Sequence, residues 1–399
     1  MAWLPLANVL HRKLRSALCM LAVAIGIAMM VVMLGLSHGT LNEVAQRMQS
    51  VPAQLLVLPS GDSVIYSGGG AFSEGHEKLI AAVQLDDRPA VERVIPVYWE
   101  TVSMGGQKQR IYGVHRRDVP DIFGRHRLVE GRLFDADGRF EQAVAERAGP
   151  NGAYDTESIP PQVLEWGLEI VIDQRLQAIG GYRVGDRIPL AGRTFTIVGV
   201  VEAGVVGRVF APIETLRHIS QSGLRKSTMF FVRLRDPNQT QRVAAAIEEE
   251  IGAQVIAKDD YARVLFESFA QVYTYINIAS GVALVVCFLI ILLTMYTLVL
   301  ERTREIGILR SLGATRWHIV WLSIQESLIL CTGGTLLGLA LAFAVKQVLA
   351  RTLPLQSVDL EWRWLLLALG IGIVGGVASA IYPGYRAARL DPSTALAFE

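Results

Sequence analysis

Four stretches of the chain are almost purely apolar: residues 17–36, 275–300 and 364–385 carry no charge, and 319–345 carries only Glu326. A helix needs about 20 mostly apolar residues to cross roughly 30 Å of hydrocarbon, because every backbone N–H and C=O must be satisfied within the segment there. The pattern predicts four spans, at 17–36, 275–300, 319–350 and 364–385. Four runs of this length, three uncharged and one with a single acid, make soluble buried helices a poor reading. The first run is longer than the apolar core of a signal peptide and no clean small-x-small cleavage pattern follows it, so it is expected to be a retained anchor.

The long polar segment 37–274 changes period repeatedly. Residues 40–49 continue the helical pattern of the first span, and residues 259–273 place Val264, Leu265, Phe269 and Val272 on one side of a helix leading into the second. A strand at 54–58 precedes a Gly68–Gly70 tract and a helix at 76–83. Near the far end, strand 229–234, a helix at 239–251 opened by Asp236-Pro237-Asn238, and strand 254–257 follow one another. Strand, helix and strand at both ends predict an α+β core of 50–115 and 228–258 built from sequence-distant halves. The turn-punctuated middle, 116–227, is expected as an inserted β-rich subdomain, with 149–161 as a surface loop. The fold class is thus an α-helical membrane protein with four transmembrane helices plus a large α+β domain.

Charge placement supplies the orientation. Arg12, Lys13 and Arg15 precede the first span, Arg302, Arg304, Arg310 and Arg316 lie between the second and third, and Arg386 and Arg389 follow the fourth. By the positive-inside rule 1–16, 301–318 and 386–399 are cytoplasmic, and 37–274 with the loop 351–363 lies outside, in an inner-membrane protein with both termini inside. Composition agrees, with 51% hydrophobic and only 19% charged residues, where soluble domains carry about a quarter charged. The net charge of +1 gives no field that would draw nucleic acid. Cys19, Cys287 and Cys331 all sit in apolar runs, so the polar segment contains no thiol to form a disulfide.

Little in the sequence points to catalysis. It contains no phosphate-binding G-x-x-x-x-G-K-[ST], no H-E-x-x-H, no C-x-x-C and no G-x-S-x-G. The seven histidines offer no i, i+4 pair for a metal. No catalytic or metal site is expected, and no cofactor bound by this chain. His115 and His126, with Arg116, Arg117, Arg125 and Arg127, read mainly as a solvated basic stretch, with an anionic-ligand or headgroup patch as the alternative. Glu326 is an intramembrane acid and so a functional candidate, although its place about two turns from the cytoplasmic start of its span favours a structural role. Gly334 with Gly338, and Gly372 with Gly376, have the spacing that lets helices approach closely.

The connector 301–315 alternates charges at Glu301, Arg302, Arg304 and Glu305. An apolar strip of Ile306, Ile308, Leu309 and Leu312 follows around Gly307 and Arg310, with Gly313 as a stop. This is the pattern of a short amphipathic helix that can dock into a soluble partner. Together with Tyr382-Pro383-Gly384-Tyr385-Arg386-Ala387-Ala388-Arg389-Leu390-Asp391-Pro392 after the fourth span, residues 10–16 and residues 185–200, it resembles the signatures of FtsX-like and MacB-like ABC transporter permeases. The resemblance implies a homodimer that recruits two ATP-binding subunits, with ATP and Mg held by those partners and this chain itself not an enzyme. It implies mechanotransmission and export or extraction of a hydrophobic or amphipathic substrate, with membrane lipids and possibly a periplasmic adaptor as further partners. The alternative is a non-transporting transmitter that activates an extracytoplasmic enzyme such as a cell-wall hydrolase. With no ATP-binding motif in the sequence, the ATPase is expected on a separate polypeptide rather than fused as in the MacB layout.

Overall fold

The computed structural model describes residues 13–61, 70–104, 107–124, 126–147, 159–220, 226–301, 303, 306, 308, 311, 313–352 and 359–388. They fall into two units, one made of the chain through Thr40 and from Ala270 onward, the other of Leu41–Phe269.

The first unit holds four long helices, Lys13–Gln49, Ala270–Glu301, Arg316–Thr352 and Trp362–Ala388, each long and apolar enough to cross a membrane. The first is the central one: Val23, Ile27, Val31 and Leu34 are buried against Ile291 and Met295 of the second, Leu330 and Cys331 of the third and Ala368 of the fourth. The outward faces of the other three stay apolar and exposed, as at Val285, Leu293, Leu337 and Val374, which suits a hydrocarbon solvent. Exposed aromatics mark both ends, Tyr275 and Trp362 at one, Trp317, Tyr382 and Tyr385 at the other. From Trp362 to Tyr382 the helix rises roughly 30 Å at 1.5 Å per residue, the thickness of the hydrocarbon core.

The glycines named above lie where helices touch. A Cβ on Gly334 would stand 2.7 Å from Val23 Cβ, one on Gly338 2.8 Å from the Ala24 carbonyl oxygen, and one on Gly376 3.0 Å from Cys331 Sγ. Gly372 faces the Thr335 side chain just as closely. Ser327 Oγ donates to the Gly376 carbonyl at 2.8 Å, which satisfies a polar group between the third and fourth spans. Gly338→Leu therefore has no room. It should destabilise the bundle by about 3 kcal/mol, read as a lowered thermal midpoint of the detergent-purified chain, while Gly281→Leu, at a glycine with no neighbour within 4 Å, should leave it unchanged.

The second unit is built on one ten-stranded sheet. Its strands are β1 (Leu55–Leu58), β2 (Val91–Met104), β3 (Gln107–Val114), β4 (Leu128–Gly131), β5 (Glu169–Asp173), β6 (Arg187–Leu190), β7 (Arg193–Val201), β8 (Val209–Pro212), β9 (Met229–Leu234) and β10 (Gln254–Ala257). The order is β10-β1-β9-β2-β3-β8-β5-β7-β4, with β6 hairpinned on β7. β1 lies between β9 and β10, antiparallel to both, so the core does join the two ends of the segment. Leu55, Val57, Phe230 and Val232 face Ile80 of helix Glu74–Ala81 and Val243 and Ile247 of helix Thr240–Ile251.

The middle segment differs from expectation. Residues 116–227 do not close a separate β-rich subdomain: β8 pairs in parallel with β3, Val209 opposite Ile111, and carries the core sheet straight on into β5, β7 and β4. Helices Pro161–Gly167, Gln174–Gly180 and Ile213–Ile219 alternate with these strands, as parallel crossovers require. The helical stalk expected over 259–273 is also interrupted, ending at Ser268 and restarting at Ala270. Residues 68–69 of the glycine tract and most of the loop 149–161 lie outside the described residues.

Candidate functional site

The connector between the second and third spans is described at Glu301, Thr303, Ile306, Ile308 and Ser311, all helical, and ends at Gly313 with φ +98°, a backbone that favours glycine and stops the helix. Thr303 Oγ1 donates to the Leu300 carbonyl at 2.6 Å and Ser311 Oγ to that of Ile308 at 2.8 Å. The apolar strip divides. Ile306 packs against Val299, Ile319 and Val320 of its own chain, whereas Ile308 is 45% exposed. Arg302, Arg304, Glu305, Gly307, Leu309, Arg310 and Leu312 lie outside the described residues. The third span then starts with Thr315 at its cap, accepting from His318 N. Glu326 is 8% exposed, buried within the bundle rather than turned to lipid.

Part of the basic stretch around His115 faces acids. His115 Nδ1 lies 3.3 Å from Glu141, whose Oε1 also accepts from Arg116 N at 2.9 Å. Arg117 faces Glu77 and Asp118, His126 faces Glu202, and Asp118 is held by Arg93 at 2.6 Å. Burial pushes the Glu141 carboxyl up, but the hydrogen bond and charge of His115, the Arg116 N–H and the charge of Arg117 together hold the group below its usual range. Acids thus face His115, Arg117 and His126, while Arg116 Nε is buried without a hydrogen-bond partner among the described residues. Arg125 is outside the described residues.

A second charge cluster escaped the sequence reading. Glu43, on the domain end of the first helix, accepts from Arg47 at 2.9 Å, Arg175 at 2.9 Å and Arg208 at 3.0 Å. Arg47 also reaches Asp173 Oδ2 at 3.4 Å and the Val205 carbonyl at 3.3 Å. Asp173 is completely buried and caps helix Gln174–Gly180 by accepting from Leu176 N at 2.7 Å. Burial pushes its carboxyl up, against the pull of the Leu176 N–H and of Arg47 and Arg208; burial and the neighbouring Arg47 likewise lower Arg208. The knot ties residues 41–49 to the ends of β5 and β8. The local signal was Glu43 and Arg47 at i, i+4 beside the apolar Leu41 and Ala45; the distant partners left none.

These parts have a known counterpart. Residues 16–250 match the MacB-like periplasmic core domain and residues 277–392 the FtsX-like permease C-terminal domain. The chain belongs to the FtsX-like and MacB-like permease family. As a member of that family it is a multi-pass membrane protein with a large α/β domain, as its sequence led one to expect. It is similar to the pyoverdine export ATP-binding/permease protein PvdT of Pseudomonas putida, 24% identical over 97% of this chain and 58% of that protein. It is also similar to the macrolide export ATP-binding/permease protein MacB of Neisseria meningitidis serogroup A, 26% identical over 98% of this chain and 59% of that one. This permease-family chain therefore spans about three fifths of the length of these curated relatives. The periplasmic region of MacB from Actinobacillus actinomycetemcomitans superposes with a TM-score of 0.37 at 13% identity, covering 56% of this chain and 97% of that one, too low a score to bear on the argument.

Proposed function

We propose that this chain is the permease subunit of an ABC transporter of the cytoplasmic membrane, working as a homodimer with ATP-binding subunits on other polypeptides and exporting a hydrophobic or amphipathic substrate. Its termini and the connector face the cytoplasm and the sheet domain lies outside, in line with the arginines at 302, 304, 310 and 316. The observation that carries the reading is Ile308. A large apolar side chain stands exposed on a short helix at the basic, cytoplasmic end of the spans, in the part of the chain that matches the FtsX-like permease domain, while its neighbour Ile306 is used up in packing. An exposed isoleucine beside alternating charges fits a groove on a soluble partner, apolar contact giving affinity and the charges giving register. ATP and Mg belong to that partner, and this chain carries motion rather than chemistry. Affinity purification of the tagged chain from native membranes should bring down an ATP-binding subunit in equal amount and a second copy of the permease. Recovery of a lone monomer with no ATP-binding protein, under conditions that keep the spans folded, would overturn the proposal.

A further inference from the structure

A cavity of about 720 Å³ opens between the second and fourth spans. Val23 and Ile27 of the first span form its floor, and Phe288 and Ile371 stand on its two walls. Gly370 and Gly375 also line it, and no atom lies within 4 Å of where their Cβ would stand. These two glycines therefore differ from Gly372 and Gly376, whose missing side chains let the third span approach. At 370 and 375 none of the described residues uses the space. The cavity runs along the fourth span from Arg363 to Gly375, a rise of roughly 18 Å at 1.5 Å per residue. That is close to the depth of one leaflet, about 15 Å. Arg363 stands at the mouth between Trp362 and Trp364, with Tyr275 exposed on the facing span, so the cation sits in the aromatic belt where headgroups lie. Its Nε lies 3.2 Å from Glu361 Oε2, and the side chain remains 73% exposed. A guanidinium has five N–H donors, which leaves part of the fork for a second acceptor.

We propose that this groove holds one anionic phospholipid from the leaflet at the Arg363 end, with an acyl chain along the apolar walls and its phosphate on Arg363. Depth and charge favour this occupant over a second copy of the chain. A span of a second copy would have to continue through the other leaflet, where the groove does not. Arg–phosphate pairing is directional and strong at an interface of reduced polarity. A zwitterionic lipid adds a cationic group beside Arg363 that an anionic one lacks.

The test uses the full chain purified in detergent, offered equal amounts of palmitoyl-oleoyl phosphatidylglycerol and phosphatidylcholine, with bound lipid counted by native mass spectrometry. Wild type should keep one phosphatidylglycerol per chain under activation that strips the phosphatidylcholine. Gly375→Leu fills the groove and should lose at least tenfold of that retention. Arg363→Gln should keep a lipid but fall to within twofold of no preference between the two. Gly370→Leu, near the middle of the groove, repeats the first test should Gly375→Leu fail to give a folded chain by its thermal melt. Undiminished retention in the folded glycine variants, or an unchanged preference with Arg363→Gln, would overturn the proposal. So would glycine variants that keep the lipid and turn the dimer into a monomer, which would give the groove to a second copy.

Discussion

Ile308→Asp should abolish stimulation of ATP hydrolysis in the reconstituted complex and should end copurification of the ATP-binding subunit, while the permease stays inserted and dimeric. The two halves of the expectation come from the same observation. Because Ile308 is exposed in the chain on its own, an aspartate there keeps its hydration and costs the fold almost nothing. Once the side chain enters a partner's groove, the carboxylate loses that hydration without a partner charge, a cost of several kcal/mol, enough to dissolve a modest interface. Ile306→Asp is the contrast. Ile306 packs against Val299, Ile319 and Val320, so that variant should lower the thermal stability of the permease itself. Arg302→Ala, at the charged rim, should only slow association. Normal turnover and copurification with Ile308→Asp would reduce the helix to a mere connector.

Glu43→Gln should destabilise the sheet domain by about 3 kcal/mol, because removing one member of a buried ion cluster strands the others. Glu43 is the common acceptor for Arg47, Arg175 and Arg208, and with it neutral the carboxylate left in the cluster is Asp173, 3.4 Å from Arg47. The shape barely changes, so packing is not in question. Chemical denaturation followed by far-ultraviolet circular dichroism on the detergent-solubilised chain should show an earlier transition for the domain. Asp86→Asn, which cuts a solvent-exposed pair with Arg242, should show none. Equal midpoints for Glu43→Gln and wild type would mean that water already satisfies the arginines and that the cluster does not hold the helix end in place.

What the sequence revealed, and what it hid, follows from how far each signal reaches along the chain. The spans were legible because hydrocarbon constrains every residue of a segment locally. The core strands β1, β9 and β10 were legible for a similar reason, since each is a short apolar run between turn signals. The continuation of the sheet through the middle segment was not. It depends on Val209 finding Ile111, a parallel pairing that leaves no mark in either strand's composition. The same holds for the charge knot, where Glu43 meets Arg175 and Arg208 at separations of 132 and 165 residues. Spacing did single out Gly334, Gly338, Gly372 and Gly376. It passed over Gly370 and Gly375, five residues apart, and gave no sign that the space beside them is open.

The placement of β1 between β9 and β10 also governs how this protein is made. Leu55 pairs with Val232 and with Ala257, so the first strand of this sheet to emerge from the ribosome has no permanent neighbour until roughly two hundred residues later. At an elongation rate of about 20 residues per second that is a wait on the order of 10 s. Throughout it, an apolar strand with both edges bare trails from an already inserted first span, a template for mispairing with the next nascent chain. Biogenesis of this domain is therefore exposed to crowding and chaperone supply at one definite interval, and overexpression should fail there first.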